Sequence, residues 1–246
     1  MRRTLLITGA SAGIGAETAR LAAMRGYDLA LNYRQDHESA EAVAKAARAA
    51  GATVVLCPGD VSDPVQIEQI FATLDAAFPQ LDALVNNAGI VDLHIRMTEV
   101  THARLRRIFD VNVIGAILVA SEAVKRMQAG GRGGAVVNLS SGAARLGSAN
   151  EYVDYAASKA AIDTFTKGFA DEMAGERIRI NAVRPGFIDT EIHAKGGDPD
   201  RAHRIGGSLP LKRAGTVTDV AEAILFLLSD KASYITGTTL DVTGGR

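Results

Sequence analysis

A tyrosine and a lysine stand four positions apart, at Tyr155 and Lys159. If this segment is helical, the two side chains share one face, one turn apart. A phenol has a pKa of about 10, too high for efficient proton transfer at neutral pH, and a neighbouring ammonium lowers that pKa by favouring the phenolate. The pair therefore predicts general acid–base chemistry, in which Tyr155 gives or takes a proton.

A glycine-rich turn near the start of the chain could hold a phosphate. Gly9, Gly13 and Gly15 follow a short apolar run in the pattern T-G-x-x-x-G-x-G. Three glycines allow a sharp bend and close approach of the backbone to a ligand, and a helix beginning near Gly13 would present N–H groups and its positive dipole end to a pyrophosphate. The spacing differs from the common G-x-G-x-x-G pattern, and a plain turn is the alternative interpretation.

In combination, these segments resemble the short-chain dehydrogenase/reductase family. The glycine-rich turn is similar to that of the family, and the later family motifs follow in order: N-N-A-G at 86–89, Y-x-x-x-K at 155–159 and P-G at 185–186. The resemblance covers essentially the whole chain. The segments 210–215 and 235–245 look like the branch that holds 3-oxoacyl-carrier-protein reductases and glucose dehydrogenases.

The resemblance implies roles for further residues. Ser141, 14 positions before Tyr155 (155 − 141), follows a strand as the family's catalytic serine does, and it would hydrogen-bond the substrate oxygen. Ser140 competes for this role, but the loop is slightly longer than usual, which favours Ser141. Asn112 matches the mid-helix asparagine, whose amide would bond a neighbouring strand or hold a water that links Lys159 to solvent. Tyr152 is expected to line the pocket or to pack, because no lysine lies four residues later.

The resemblance also implies a nicotinamide cofactor. A strand ends at Arg34 without a carboxylate, so nothing there opposes a ribose 2′-phosphate, and the Arg34 guanidinium suits one. NADP(H) is therefore the expected cofactor, with NAD(H) as a second option, since Ala12 stands where the family often places another basic residue. The expected cofactor-binding residues are Gly9, Ser11, Gly13, Ile14, Gly15, Tyr33, Arg34, Asp60, Val61, Asn87, Ala88, Gly89, Tyr155, Lys159, Pro185, Gly186, Ile188 and Thr190.

Short apolar runs alternate with helical patterns, which predicts one doubly wound α/β domain over residues 1–246, with about seven parallel strands and helices on both faces. The predicted strands are Thr4–Thr8, Asp28–Tyr33, Thr53–Pro58, Ala83–Asn86, Ala135–Leu139, Ile178–Val183 and Thr238–Val242. The predicted helices are Ile14–Arg25, His37–Ala50, Pro64–Phe78, Thr101–Gln128, Tyr155–Ala174 and Val217–Leu228. The irregular stretch Ile192–Leu209 is interpreted as a substrate lid, with a plain surface loop as the alternative.

Composition and charge limit the partners, the metal sites and the cellular setting expected for the chain. The net charge of −1 over 246 residues gives no basic field for nucleic acid or an anionic membrane surface. The single cysteine, Cys57, lies in an apolar run and is predicted to be core. The histidines show no metal-ligand spacing, and no stretch reaches transmembrane length, so a cytoplasmic setting without a metal is expected.

The sequence thus predicts an oxidoreductase that transfers hydride between NADP(H) and a small carbonyl or alcohol substrate. A sugar or polyol dehydrogenase with dual cofactor use is the alternative within enzymes, and a non-catalytic nucleotide-binding regulatory protein is the rival class. The resemblance implies a homotetramer built through the helices predicted at Thr101–Gln128 and Tyr155–Ala174. Docking of an acidic carrier protein by Arg126, Arg177 and Arg179 is considered and discounted.

Overall fold

Parallel strands in one sheet form the centre of the molecule. The computed structural model describes residues 2–190, 196–198 and 200–246. Within these ranges the sheet has seven strands in the order β3-β2-β1-β4-β5-β6-β7, all parallel, which confirms the predicted fold class. The strands are β1 (Arg3–Ile7), β2 (Tyr27–Tyr33), β3 (Val54–Pro58), β4 (Ala83–Asn86), β5 (Gly134–Leu139), β6 (Ile178–Pro185) and β7 (Thr239–Val242).

Helices cover both faces of the sheet. They are α1 (Gly13–Met24), α2 (His37–Ala49), α3 (Pro64–Ala77), α4 (His102–Phe109), α5 (Ala116–Gly130), α6 (Ala143–Leu146), α7 (Val153–Met173), α8 (Arg201–Gly206) and α9 (Val217–Leu228). Successive strand side chains point to opposite faces. Leu5 and Ile7 accordingly pack with α1, α2 and α9, whereas Leu6 packs with α3, α5 and α7. All three side chains are fully buried, which explains why β1 is apolar at every inward position.

The long helix predicted over Thr101–Gln128 is interrupted. A π-helical turn, Asp110–Gly115, separates α4 from α5. At the end of this turn a Cβ on Gly115 would lie 2.2 Å from the carbonyl oxygen of Val61, so the backbones of the two segments are in contact. The spacing of apolar residues does not reveal one extra residue in a helical turn. The sequence pattern therefore predicted one continuous helix.

The stretch Ile192–Leu209 contains an element that the sequence pattern did not predict. The helix α8 lies within it, and residues 192–195 and 199 are outside the described residues. Six residues are too few for a helical period to stand out from a loop rich in glycine and charge. The lid interpretation of this stretch stays a prediction.

Cys57 is part of the core, as predicted. Its side chain is fully buried in β3, and burial raises the pKa of the thiol to about 12. No helix in the described ranges is long and apolar enough to cross a membrane.

The contact at Gly115 predicts a large difference between two glycine-to-alanine variants. Gly115→Ala forces a methyl group onto the Val61 carbonyl and should destabilise the fold by about 1–3 kcal/mol. Gly168→Ala, in the exposed middle of α7 with nothing within 4 Å of the added Cβ, should stabilise it by about 0.5–1 kcal/mol. Thermal and chemical unfolding followed by circular dichroism measures both. A Gly115→Ala protein as stable as the unaltered chain would contradict the contact.

Candidate active site

The carboxyl ends of β1, β4, β5 and β6 meet at one edge of the sheet, and a cleft opens there. Its walls come from the loops after these strands and from the start of α7. Open parallel sheets bind ligands at this edge because the helix N-termini and flexible loops converge there. Of the residues predicted from sequence, the cleft is lined by Ile14, Asn87, Gly89, Ser141, Tyr155, Lys159, Pro185, Gly186, Ile188 and Thr190.

Tyr155 and Lys159 lie on one face of α7, as their spacing predicts. Lys159 is 4% exposed, its Nζ donates to the carbonyl oxygen of Leu139 at 2.7 Å, and Nζ lies 5.8 Å from the centre of the Tyr155 ring. Burial lowers the pKa of Lys159 to about 8, and the negative charge of Asp163, one turn further along α7, acts in the opposite direction. The ammonium therefore titrates close to neutral pH.

The expected lowering of the Tyr155 pKa by Lys159 is wrong for the protein by itself. Burial raises the pKa of the Tyr155 phenol above its ordinary value, and a side-chain hydrogen bond with Ser141 lowers it in part. The reason is that burial penalises the charged phenolate, and the Lys159 ammonium, which donates to the Leu139 carbonyl, does not offset that penalty.

Two serines follow β5, and their contacts separate their roles. The Ser140 hydroxyl is buried and donates to the Lys159 carbonyl oxygen at 3.2 Å, so it ties β5 to α7. The Ser141 side chain lines the cleft, its Oγ accepts from the Ala143 N–H at 3.1 Å, and it lowers the pKa of the Tyr155 phenol in part. The geometry favours Ser141 over Ser140 as the group that meets a substrate oxygen.

Asn112 lies in the π-helical turn and is 1% exposed. Its Oδ1 accepts from the Ile90 N–H at 2.8 Å, and its Nδ2 donates to the Ile90 carbonyl at 2.9 Å and to the Ser158 hydroxyl at 3.1 Å. The amide thus clamps the segment after β4, in keeping with the predicted bond to a neighbouring strand. A Cβ on Gly89 would lie 3.2 Å from Lys159 Nζ and 3.4 Å from Asn112 Oδ1, so glycine lets these three positions come together.

The glycine-rich turn has the shape that its sequence predicts. Gly9 and Gly13 adopt left-handed φ angles of +62° and +56°, which favour glycine. A Cβ on Gly15 would lie 2.4 Å from the Gly9 carbonyl oxygen, so the turn closes tightly on the first turn of α1. The helix has Ala12 as its N-cap, with no side-chain cap and no acidic residue in its first turn. Uncapped N–H groups at a helix start suit an anion, and with Ser11 beside them these residues fit a dinucleotide diphosphate.

A hydrogen-bonded junction that the sequence did not reveal holds this turn against the loop after β4. The Asn87 side-chain amide donates to the carbonyls of Thr8 at 2.9 Å and Gly9 at 3.0 Å. In return, the Thr8 hydroxyl accepts from the backbone N–H groups of Asn87 at 2.9 Å and Ala88 at 3.0 Å. The only sequence signal for Thr8 was its position before the first glycine. In the structure, its hydroxyl holds the two loops together.

The other predicted cofactor residues lie on either side of this junction. Arg34 extends from the end of β2 with its side chain 54% exposed, and its Nη1 lies 3.6 Å from Asp60 Oδ2. Tyr33 is bound through its hydroxyl to His37 Nδ1 at 2.6 Å, and Val61 is buried beside Gly115. Asp60 reduces the net positive charge at Arg34, an influence that the sequence pattern did not reveal.

After β6 the chain turns along the cleft. A Cβ on Gly186 would lie 2.8 Å from the Thr243 Cα, so only glycine lets the two segments approach this closely. The Pro185 carbonyl accepts from the Gly142 N–H at 2.8 Å, which ties this loop to the serine loop. Thr190 reaches back to the glycine-rich turn, with its Cγ2 3.9 Å from the Cβ position of Gly13, so Ile188 and Thr190 border the same space as the helix start.

The cleft lining also includes residues that no sequence motif marked. Phe187, Arg201 and Arg246 line it, together with Tyr152, whose hydroxyl donates to the Gly196 carbonyl at 3.0 Å. The prediction that Tyr152 lines the pocket is confirmed.

Other candidates lie away from the cleft. Arg126 pairs with Asp75, and Arg177 and Arg179 donate to backbone carbonyls, so these arginines serve the fold. In the described part of the chain, no group of three or more His, Cys, Asp or Glu side chains is arranged to hold a metal, and His193 falls outside that part.

Comparison with known proteins extends over the same residues. The family model described as Enoyl-(Acyl carrier protein) reductase matches residues 9–246. The uncharacterized oxidoreductase YgfF of Escherichia coli (strain K12) is 49% identical over 243 residues, covering 98% of each chain. The cis-4-hydroxycyclohexanecarboxylate dehydrogenase of Sinomonas cyclohexanicum is 38% identical over 243 residues, covering 99% of this chain and 96% of the relative.

A solved structure agrees with these relatives. The crystal structure of 3-ketoacyl-(acyl-carrier-protein) reductase from Brucella melitensis complexed with NADH has a TM-score of 0.91 and 30% sequence identity, covering 99% of this chain and 98% of that one. The glycine-rich turn, the N-N-A-G loop and the tyrosine–lysine pair meet at one cleft of a shared fold. The chain therefore belongs to the short-chain dehydrogenase/reductase family of oxidoreductases, whose members bind a nicotinamide cofactor.

Proposed function

We propose that the protein is an NADP(H)-dependent oxidoreductase that interconverts a small carbonyl compound and its alcohol, with Tyr155 as general acid and base. The observation that carries the proposal is the juxtaposition of Tyr155 and Ser141 with the buried Lys159 ammonium, at the cleft that the glycine-rich turn borders. The relatives support the substrate class, since one is named as a reductase of ketoacyl groups and another as a dehydrogenase of a cyclic alcohol.

In this proposal the nicotinamide, when bound, supplies or accepts the hydride. Tyr155 donates its phenolic proton to the substrate oxygen during reduction and takes it back during oxidation. Ser141 accepts from the Ala143 N–H, which leaves its own hydrogen to stabilise negative charge as it develops on the substrate oxygen. Lys159 favours the phenolate that Tyr155 becomes and, next to Asn112, offers the proton that restores it.

The remaining predicted residues would hold the cofactor. Gly9, Ser11, Gly13, Ile14 and Gly15 would surround the diphosphate, where the start of α1 lacks a side-chain cap. Asn87, Ala88, Gly89 and the segment from Pro185 to Thr190 would border the nicotinamide half, and Tyr33, Arg34, Asp60 and Val61 the adenosine half. The homotetramer implied by the resemblance remains a prediction, supported by the exposed apolar side chains of Ile114 (44%) and Leu118 (36%), one turn apart next to the start of α5.

Cofactor preference rests on Arg34. Its exposed guanidinium stands at the end of β2 without a carboxylate on that strand end, which favours a 2′-phosphate. Asp60, 3.6 Å away, offsets part of that charge, and the Brucella relative was crystallised with NADH. Use of NAD(H) alongside NADP(H), as in a sugar or polyol dehydrogenase, is therefore the second candidate.

Removing the phenolic hydroxyl of Tyr155 should stop chemistry but not cofactor binding. For Tyr155→Phe we expect kcat to fall about 10²–10⁴-fold, the usual contribution of a general acid. The dissociation constant of NADPH should stay nearly constant. Loss of NADPH absorbance over a panel of ketones, aldehydes and β-ketoacyl thioesters measures kcat. Calorimetry measures the dissociation constant of NADPH.

Tyr152→Phe is the matched control, since it removes a hydroxyl from the same pocket whose partner is the Gly196 carbonyl. It should keep most of its turnover. Full activity of Tyr155→Phe would exclude Tyr155 as the acid–base group. Tight NADPH binding by the unaltered protein with no turnover on any carbonyl would instead favour the regulatory, non-catalytic class.

Arg34→Ala should discriminate between the two nicotinamide cofactors. A charge-assisted hydrogen bond contributes about 1.5–3 kcal/mol, so the NADPH dissociation constant should rise about tenfold to a hundredfold while that of NADH changes little. Arg48→Ala, which removes an exposed arginine paired with Glu41 on α2, is the control and should affect neither. Equal weakening of both cofactors by Arg34→Ala would show that Arg34 does not read the 2′-phosphate.

The pH dependence should respond to Asp163. Its carboxylate raises the pKa of Lys159 against the lowering by burial, and it also accepts from Arg184 Nε at 2.9 Å, which in turn pairs with Asp241. If protonated Lys159 is needed, activity falls as pH rises through its pKa of about 8. Asp163→Asn lowers the pKa of Lys159, so the alkaline limb of the kcat/KM profile should move to lower pH.

Asp171→Asn is the control, because Asp171 is an exposed carboxylate further along α7. This variant should leave the alkaline limb in place. An unmoved limb in Asp163→Asn would contradict the role of the Lys159 charge.

A further inference from the structure

In one part of the cleft lining, aromatic rings alternate with guanidinium groups. The Arg201 Cζ lies 5.2 Å from the centre of the Tyr152 ring and 5.5 Å from that of Phe187, and the Arg246 Cζ lies 5.5 Å from the Phe187 ring. Tyr152, Arg201, Phe187 and Arg246, here called the arginine–aromatic wall, all line the same cleft as Tyr155. Two cations therefore line the same cleft as the tyrosine–lysine pair.

The two cations differ in how their charge is compensated. Arg201 is buried, and its two Nη groups donate to the two carboxylate oxygens of Glu151 at 2.9 and 2.5 Å. This bidentate pair neutralises the guanidinium and anchors α8 against the start of α7. Arg201 therefore shapes the wall but has no charge left over for a ligand.

Arg246 has no such partner among the described residues. The nearby carboxylate of Asp241 is shared by Arg145 and Arg184, at 3.4 Å each, and that of Asp219 is bound by Arg213 at 2.6 Å. The backbone oxygen of Arg246 accepts from Arg145, which holds this residue at the rim of the cleft. Its guanidinium is exposed and rests beside Phe187.

Among the described residues that line the cleft, the charged side chains are all positive. The described residues that line it include Lys159, Arg201 and Arg246, and none of them is an aspartate or glutamate. Lys159 is committed to the Leu139 carbonyl and to Tyr155, and Arg201 to Glu151. The Arg246 guanidinium therefore has no side-chain carboxylate partner among the described residues, and the lining of the cleft also includes the apolar side chains of Val91, Leu146 and Phe187.

We propose that the substrate carries a carboxylate at a distance from its reacting carbonyl or alcohol, and that Arg246 binds this carboxylate and so determines specificity. The inference rests on the proposed function and names the substrate class for the same site. A guanidinium matches a carboxylate with two parallel hydrogen bonds. A single guanidinium without a side-chain carboxylate partner among the described residues fits a monoanion, and the apolar side chains in the lining fit a short hydrocarbon linker between the two ends of the molecule.

The test compares oxocarboxylates with their methyl esters, which keep the carbonyl and remove the charge. Acetoacetate, levulinate, 5-oxohexanoate and 4-oxocyclohexanecarboxylate vary the distance between the two groups. For the best spacing, kcat/KM with NADPH should favour the acid over its ester about tenfold to a hundredfold, the range expected of one charge-assisted pair. In Arg246→Gln this preference should vanish through a higher KM for the acid, while kcat and the values for the ester stay close to those of the unaltered enzyme.

Arg213→Gln is the matched control, because it removes an exposed arginine that lies outside this cleft and is paired with Asp219. It should keep the preference for the acid. A preference that persists in Arg246→Gln, or that is lost equally in Arg213→Gln, would overturn the assignment of Arg246.

Binding separates failure of this inference from failure of the proposed function. Calorimetry on the Tyr155→Phe protein saturated with NADPH should find tighter binding of the acid than of the ester, and Arg246→Gln in that background should abolish the difference. Equal or undetectable binding of acids and esters overturns the carboxylate inference, whatever the turnover of neutral ketones. Selective binding of acids that depends on Arg246, without turnover of any carbonyl by the unaltered protein, supports the inference and counts against the catalytic proposal.

Discussion

The Lys159 ammonium is buried away from water, and the arrangement of the surrounding strands, loops and helix depends on this burial. A buried cation is tolerated only if its hydrogens are bound and its environment is polarised in its favour. The carbonyl at the end of β5 takes one hydrogen, and the absence of a side chain at Gly89 lets the loop after β4 come close. The Asp163 charge favours the ammonium from the next turn of the helix. The ends of two strands and the axis of α7 are thereby fixed relative to one another.

The π-helical turn links the segment after β4 to the segment after β3. At one end Asn112 clamps the backbone at Ile90, beside Lys159, and at the other Gly115 rests on the carbonyl of Val61, on the side proposed to hold adenosine. A regular helix would rotate one of these positions away from its contact, because one residue more or less turns a helix by about 100°. The wider turn satisfies both contacts, so a local irregularity fixes the loops at Ile90 and Val61 relative to each other.

Much of this could be predicted from the sequence, and the reasons differ by element. Buried parallel strands such as β1 and β4 are continuous apolar runs, which local patterning reveals, and the glycine-rich turn and the tyrosine–lysine pair have fixed spacings. The choice between Ser140 and Ser141 depended on which hydroxyl the backbone directs toward α7. That direction is set by the tertiary structure and not by the local sequence. The pKa of Tyr155 depended on burial, which spacing does not encode. Arg201 and Arg246 lie 45 residues apart (246 − 201) and meet only around the Phe187 ring, so no local signal could join them.

The single cysteine of the chain has a practical consequence for studying the molecule in solution. Cys57 lies on β3 with its thiol fully buried and its pKa raised to about 12, so the native protein presents almost no reactive thiolate to an alkylating or disulfide reagent. Labelling must then wait for β3 to separate from β2 and its covering helices. With no other thiol to compete, the rate of modification reports directly how often that edge of the sheet opens, and its slowing by a bound nucleotide would measure how strongly the ligand holds the edge closed.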